Sequence, residues 1–216
     1  MRRGLQRFLL GAVIAVQAAA PVWAADYRES FEETRPPQEM FEGQLLIGAA
    51  EGWIGEIKKG TYFLIDQDKP GAVKLILLPQ PQTSATTISV DVFGQFAGDK
   101  AGVGLAYGYT SEAGGHYAFV VTPNKGYALY RGSAAGIELL SKGTNPAIQV
   151  GSVNRLAVEL DGSTAKLLVN GQQVYAHEAA GAEAPLPGQV GIIAIDKGAY
   201  SFDDFSVSSS AKGSSG

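Results

Sequence analysis

The chain has 216 residues, no cysteine and a net charge of −4 at pH 7. The lack of cysteine excludes disulfide bridges and lipid attachment to a cysteine side chain, so the fold depends on its core alone. The acidic balance argues against binding to nucleic acid or to anionic membranes, both of which require clustered positive charge.

The first 24 residues have the three parts of a secretory signal peptide. Three arginines stand before residue 8, residues 8–20 are apolar, and Val22-Trp23-Ala24 offers a small-residue cleavage pattern. We therefore expect an exported protein, periplasmic or extracellular, with a mature chain that starts at residue 25 and has a net charge of −7. Because the apolar run is shorter than the ~20 residues that span a bilayer, we expect no membrane span after cleavage.

From residue 26 onward, short runs alternate apolar with polar residues between glycine-rich turns, which is typical of antiparallel β-strands. Asp161-Gly162 and Asn170-Gly171 lie between such runs and predict two tight hairpins. The predicted strands span residues 26–31, 44–47, 53–58, 61–66, 73–78, 87–93, 102–110, 116–122, 126–131, 136–141, 155–160, 165–169, 172–175, 189–196 and 200–207.

This pattern predicts an all-β fold with one domain, residues 25–207. Many short strands without an internal repeat or a linker favour a sandwich of two antiparallel sheets, or jelly roll. Residues 208–216 are serine, glycine, alanine and lysine, which have nothing to bury, so we expect a disordered tail.

Five segments carry a resemblance to a known family: ISVDVFGQFAGDKAGVGLAYGY, GGHYAFVVTPNKGYALYR, NPAIQVGSVNRLAVELDGSTAKLLVNGQQV, GQVGIIAI and YSFDDFSV. In this order they resemble the concanavalin A-like lectin/glucanase superfamily, in particular its laminin-G-like bacterial branch. That branch includes domains of unknown function and domains similar to 3-keto-disaccharide hydrolases. The resemblance covers residues 41–207 and implies the two-sheet fold. It implies no single function, because the superfamily contains lectins, glycosidases and adhesion modules.

The residue patterns that support catalysis are missing. A retaining glucanase of this superfamily carries Glu-x-Asp-x-Glu along one strand, which sets two carboxylates ~5 Å apart on one face. No such triplet occurs in this chain, and neither does a Gly-x-Ser-x-Gly elbow or a zinc-ligand spacing. The sequence therefore favours a non-catalytic protein over an enzyme.

One face of the central strands is a candidate ligand site. If residues 87–131 form one meander, large apolar residues occupy its core face. The other face is a floor of small residues, bordered by Asp91, Phe93, His116 and Tyr130. In the resembled fold this second face is the concave sheet, where sugars bind in active members. Glycines in a strand often mark close approach by another group, so we interpret these four residues as ligand-binding.

A second candidate site is Asp203-Asp204. Phe202 and Phe205 have opposite strand parity, so both can point inward only if a β-bulge separates them. Related sandwiches often hold a structural calcium where the first and last strands meet, and calcium prefers oxygen ligands. Asp203 and Asp204, beside the N-terminal acidic residues, are therefore candidate calcium ligands. The alternative is that one of them caps a turn or is exposed.

Three functions stay open at this stage. The leading hypothesis is an exported, non-catalytic binding module for carbohydrate or cell-envelope glycan. The second is a glycoside-processing hydrolase resembling the 3-keto-disaccharide hydrolases, which requires two acidic groups in one groove. The third is a structural envelope protein without a small ligand, which would follow if a loop such as residues 42–57, with Trp53, packed over the small-residue floor.

Overall fold

The computed structural model describes residues 26–66, 71–79, 86–111, 113–179 and 188–209. Within these ranges the only helical element is a short 3₁₀ segment, Met40–Gly43, and no helix there has the length and apolarity to cross a bilayer. The strands are β1 (Tyr27–Glu29), β2 (Gly48–Ala50), β3 (Trp53–Lys58), β4 (Thr61–Asp66), β5 (Val73–Leu77), β6 (Thr86–Phe96), β7 (Gly102–Ser111), β8 (Gly115–Thr122), β9 (Gly126–Ser133), β10 (Gly136–Thr144), β11 (Asn154–Asp161), β12 (Thr164–Val169), β13 (Gln172–Glu178), β14 (Gln189–Ile195) and β15 (Gly198–Ser209).

The described strands form two antiparallel sheets. The nine-stranded sheet has the order β13-β12-β11-β6-β15-β4-β3-β2, with β1 also paired to β15, and the six-stranded sheet has the order β10-β9-β8-β7-β14-β5. Large apolar side chains of both sheets pack into one core, among them Trp53, Tyr62, Phe119 and Phe202. This confirms the predicted two-sheet β-sandwich.

The chain crosses between the sheets after β6. β6 pairs with β11 and β15, whereas β7 pairs with β8 and β14. The predicted meander is therefore wrong for β6 and correct from β7 onward. Both strands turn their apolar residues, such as Val90 and Leu105, to the same core. Alternation alone cannot distinguish neighbours within a sheet from strands that face each other across a sandwich.

The tight turns lie where the sequence predicts them. Asn170 and Gly171 both have positive φ, 51° and 77°, as the type I′ hairpin requires. Gly162 also has a positive φ of 59°, at the turn between β11 and β12. The predicted strand at residues 44–47 is wrong, and β2 begins only at Gly48. Here the Tyr62 hydroxyl donates to the Leu46 carbonyl (3.0 Å), a tertiary contact that periodicity cannot reveal.

The last strand contains the predicted bulge. The register of β15 against β6 shifts between Asp203 and Ser206, and Asp204 adopts a φ of 49°. Phe202 and Phe205 are consequently both fully buried. β15 continues to Ser209 and pairs with β6 there, so residues 208 and 209 belong to the sheet instead of the predicted tail. The signal segment and residues 210–216 lie outside the described ranges.

Candidate functional site

The structure separates the four predicted ligand-binding residues into two pairs. Asp91 and Phe93 belong to β6 and lie on the outer face of the nine-stranded sheet, opposite to the core residues Val90 and Val92. His116 and Tyr130 belong to β8 and β9 and lie on the outer face of the six-stranded sheet. The prediction of one four-residue site is therefore wrong, because the chain changes sheets between β6 and β7.

On the nine-stranded sheet, Asp91 is bound by an arginine. The Arg155 guanidinium donates to Asp91 Oδ1 (3.0 Å), to the Asp204 carbonyl (2.8 Å) and to Ser89 Oγ (2.7 Å). Ser89 and Ser206 are themselves hydrogen-bonded across β6 and β15 (2.8 Å between their Oγ atoms). This network ties three strands together at the bulge and pairs Asp91 Oδ1 with a cation.

The predicted calcium site is not assembled by the described residues. Two nitrogens of Arg28 donate to Asp204 Oδ1 (3.0 and 2.7 Å), so a cation already neutralises this carboxylate. The first and last strands do meet, but Glu29 is fully buried beneath them. Within the described ranges, no group of three or more histidine or acidic side chains could hold a metal ion. Calcium binding by Asp203 and Asp204 stays a prediction without a ligand set.

Asp203 instead faces Asp91. The two residues are directly opposite each other on β15 and β6, where Cβ atoms lie about 4.5–5.5 Å apart. Burial raises the pKa of Asp203, a hydrogen bond from the Asp204 N–H opposes this, and the negative charges of Asp204, Asp91 and Glu32 raise the pKa further. The outer face of the nine-stranded sheet therefore holds a pair of carboxyl groups in different environments, one of them bound by Arg155.

The middle of the six-stranded sheet's outer face is an apolar cluster. Ala106, Ala118, Val120 and Ile193 are at most 1% exposed. Leu75, Leu77 and Tyr130 pack against this cluster, which also contains Ala128 and Ile195. The small-residue floor is therefore covered around Ala106, which is the alternative that the sequence left open beside an exposed ligand site.

Trp53 does not cover this outer face. It belongs to β3 of the other sheet and packs in the core against Tyr200, with ring centroids 6.2 Å apart. The prediction that residues 42–57 cover the small-residue floor is therefore wrong for Trp53.

A groove of about 850 Å³ opens at one end of this outer face. Gly126, Ala128 and Tyr130 of β9 and Ile195 of β14 provide an apolar floor, and Tyr127 is a second aromatic residue in the lining. Polar side chains stand around this floor: Asp99, Lys100, Asn124, Lys142, Thr144 and Asp196. An apolar floor with a few polar groups around it is typical of small-molecule and glycan sites.

Turns hold the polar groups of the groove in place. The turn after β8 has positive φ at Asn124 and Lys125 (61° and 58°), and the Gly126 N–H donates to the Pro123 carbonyl (3.1 Å). Asp196, at the turn between β14 and β15, accepts a hydrogen bond from the Gly71 N–H (2.9 Å). The sequence does not bring Asp196 and the other rim residues together, because they lie on separate turns and edges. Their only sequence signal is a position at a strand end.

His116 and Tyr130 share this face, but only Tyr130 lines the groove. The His116 ring lies beside the Tyr109 ring, with centroids 6.1 Å apart, and directly over Gly132, where a side chain would collide with it. Gly132 is opposite Ile137, which lines the far end of the groove. Burial lowers the pKa of His116 and raises the pKa of Tyr130, so both rings are neutral at pH 7.

Acidification is expected to destabilise the fold through His116. Because its pKa is lowered from 6.5, the unfolded protein binds more protons than the folded protein below pH 6.5. The free energy of unfolding is therefore retained above pH 6.5 and falls as the pH drops through the folded-state pKa. Asp203 has the opposite effect. Because its pKa is raised from 3.8, the folded protein binds more protons there than the unfolded protein above pH 3.8, and this contribution to the free energy of unfolding grows as the pH falls. Urea unfolding at several pH values between about pH 8 and pH 5 measures how steeply the free energy of unfolding changes with pH. We expect a smaller fall in His116→Gln, and an unchanged slope in this variant would contradict the assignment.

Comparisons with known proteins show the fold. No family model and no curated protein matches the chain. Among solved structures, the carbohydrate-binding module CBM66 from Bacillus subtilis is similar at TM-score 0.58 and 14% identity, over 76% of this chain and 99% of that one. The metal-free Emp46p carbohydrate recognition domain is similar at TM-score 0.59 and 11% identity, over 83% and 94%.

A third similar structure is LamAcat from Zobellia galactanivorans, at TM-score 0.54 and 11% identity, over 84% of this chain and 96% of that one. At such low identities these likenesses show architecture alone. The chain has a two-sheet, antiparallel β-sandwich fold, similar in architecture to these solved structures.

Proposed function

We propose that this chain is an exported, non-catalytic module that binds carbohydrate in the groove of the six-stranded sheet. The observation that carries the proposal is the groove itself, with an apolar floor at Ala128 and Tyr130 and a rim of carboxylates, amines, an amide and a hydroxyl. A pyranose has an apolar ring face and a hydroxyl edge. The ring face can stack on Tyr130, while hydroxyls bond to the rim.

Two further lines of support come from outside the groove. The architecture is shared with proteins whose names describe a carbohydrate-binding module and a carbohydrate recognition domain. The arginines and apolar run of the first 24 residues support export to the compartment where envelope glycans occur. The finer resemblance to the laminin-G-like bacterial branch stays a prediction, because no family model matches.

Replacement of Tyr130 by alanine is expected to weaken glycan binding about tenfold or more. Tyr130 is half-buried in the groove, so the change removes its stacking surface from the ligand and leaves the sheet backbone in place. Binding of the parent is expected to be weak, nearer millimolar than nanomolar, because desolvation of polar groups offsets much of the contact energy. The measurement is calorimetric titration with the best binders from a panel of plant, fungal and bacterial envelope polysaccharides.

The matched control is Phe93→Ala. Phe93 is also a half-buried aromatic residue on an outer sheet face, but it lies on the opposite side of the sandwich. We expect Phe93→Ala to bind as the parent does. Loss of binding in Phe93→Ala with normal binding in Tyr130→Ala would place the ligand on the nine-stranded sheet and overturn the proposal.

A glycoside hydrolase is the second candidate, and the pair Asp91 and Asp203 favours it. Asp91 and Asp203 are directly opposite each other on β6 and β15, so both carboxyl groups stand on one sheet face, as the pair of carboxyl groups does in retaining glycosidases. The raised pKa of Asp203 suits a general acid. We rank this candidate second because Arg155 already binds Asp91. Release of reducing sugar by the parent, lost in Asp203→Asn, would favour the hydrolase.

A further inference from the structure

The groove extends across the six-stranded sheet from one edge to the other. It is lined by Val73 on the edge strand β5, Ile195 on β14, Thr122 on β8, Gly126 on β9 and Thr144 on the edge strand β10. Six strands are separated by five intervals of about 4.8 Å, so this path is about 24 Å long. A single pyranose ring fills only a fraction of this length, and a chain of linked sugars matches it better.

Among the described residues, small side chains line the groove at both edges of the sheet, although Ile137, Leu139 and Lys142 of the edge strand β10 also line it. Gly71 and Val73 stand at the β5 edge, and Gly143 and Thr144 stand at the β10 edge. Val73 is 36% exposed. A ligand can therefore continue past both edges, which suits binding to the interior of a chain and not to its terminal sugar.

The charges around the groove balance. In the described part of the chain, its charged lining residues are two carboxylates, Asp99 and Asp196, and two amines, Lys100 and Lys142. A polyanionic or polycationic chain would meet as much repulsion as attraction here. An uncharged chain meets no charge repulsion, and its hydroxyls can donate to the carboxylates and accept from the amines.

From the length, the open edges and the balanced charge, we propose that the ligand is an uncharged, linear polysaccharide. It lies across the strands of the six-stranded sheet and is bound along its interior. This inference rests on the proposed function and names the substrate class of the same groove. Tyr130 contacts the part of the chain near β9 and β10, and Val73 contacts the part that reaches the β5 edge.

The experiment titrates uncharged gluco-oligosaccharides of two to eight units, in the cello-, laminari- and malto- series, together with polygalacturonate as an acidic chain. We expect affinity to rise about tenfold or more from the disaccharide to the longest oligomer of the preferred series. We also expect this affinity to be unchanged between low and high salt, because no net charge is neutralised. Polygalacturonate is expected to bind no better than the disaccharide.

Two variants separate this inference from the proposed function. Val73→Ser is expected to lower the affinity for the longest oligomer about threefold to tenfold and to leave the disaccharide unaffected. Ile47→Ser is its matched control, an exposed isoleucine outside the groove, and is expected to have no effect. Tyr130→Ala is expected to weaken binding at every length.

Affinity that is independent of chain length, with Val73→Ser like the parent and Tyr130→Ala impaired, would overturn the polysaccharide inference and leave a short-glycan site. Preference for polygalacturonate would also overturn the inference. If no gluco-oligosaccharide binds, the polysaccharide inference fails. If the panel of envelope polysaccharides also gives no binding, or Tyr130→Ala has no effect on any ligand, the proposed function fails as well.

Discussion

Replacement of Glu29 by alanine is expected to lower the free energy of unfolding by about 3–5 kcal/mol. Glu29 is fully buried at the end of β1. Its carboxylate accepts hydrogen bonds from the Phe31 N–H (3.0 Å) and the Phe41 N–H (3.3 Å), and from Arg35 at 3.2 and 3.1 Å. Alanine leaves both backbone donors buried without these acceptors, and each such group costs about 1–3 kcal/mol.

The same carboxylate holds two strained residues in place. Phe31 and Phe41 adopt positive φ values of 50° and 48°, a conformation that bulky side chains rarely take. Both rings are nevertheless fully buried, Phe31 against Tyr62 and Phe41 against Phe205. We therefore expect the loss of Glu29 to release the N-terminal segment from the core, because the hydrogen bonds that offset the backbone strain are gone.

Urea unfolding of the mature protein measures this effect through the midpoint and the slope. Glu39→Ala is the matched control, since Glu39 is an exposed glutamate in the same segment, and a change within about 0.5 kcal/mol is expected. Glu29→Gln should lie between the two, because an amide has one accepting oxygen for two N–H donors. Equal stability of Glu29→Ala and Glu39→Ala would show that the carboxylate does not anchor β1.

Deletion of Asp203 and Asp204 together is expected to destabilise the domain by about 5 kcal/mol or more, or to abolish folding. Because Asp203 pairs with Asp91 and Ser206 with Ser89, β15 has one extra residue at the bulge, and loss of Asp204 alone would restore regular pairing. Loss of both residues shifts the register by one, which would move Phe205 and Val207 to the outer face and Ser206 into the core, because strand side chains alternate with period two. Phe205 and Val207 are now at most 1% exposed. Full burial of each such side chain contributes about 1.5–3 kcal/mol, and a buried hydroxyl without a partner adds to the cost.

The control for the deletion is Asp204→Gly, which keeps the register and accepts the φ of 49° without strain. It removes the Asp204 carboxylate from Arg28, but that arginine is 72% exposed and such pairs contribute at most about 1 kcal/mol. Thermal unfolding and near-ultraviolet dichroism should show a native-like substitution variant and a damaged deletion variant. A deletion variant as stable as Asp204→Gly would mean that strand parity between residues 202 and 207 does not decide which of these side chains are buried.

The candidate site shows where sequence patterns stop being informative. Tyr130 could be predicted because it stands among small residues on an alternating strand. The rim residues Asp99, Lys142 and Asp196 could not, because they come from a loop, an edge strand and a turn that are far apart in the chain. Asp91 was predicted with Tyr130, yet it lies on the other outer face, bound to Arg155.

The sequence by itself determined the all-β architecture, the hairpins at Gly162 and Asn170-Gly171, and the bulge between Phe202 and Phe205. Each of these depends on local rules: side-chain alternation, the backbone freedom of turn residues and strand parity. Only the tertiary structure decided which sheet each strand joins, and therefore which residues share a face. A strand that turns its apolar side to a common core has the same pattern in either sheet. The pairing of each strand with one sheet or the other places Asp91 and Tyr130 on opposite outer faces, and it brings turns that are distant in the chain to one groove.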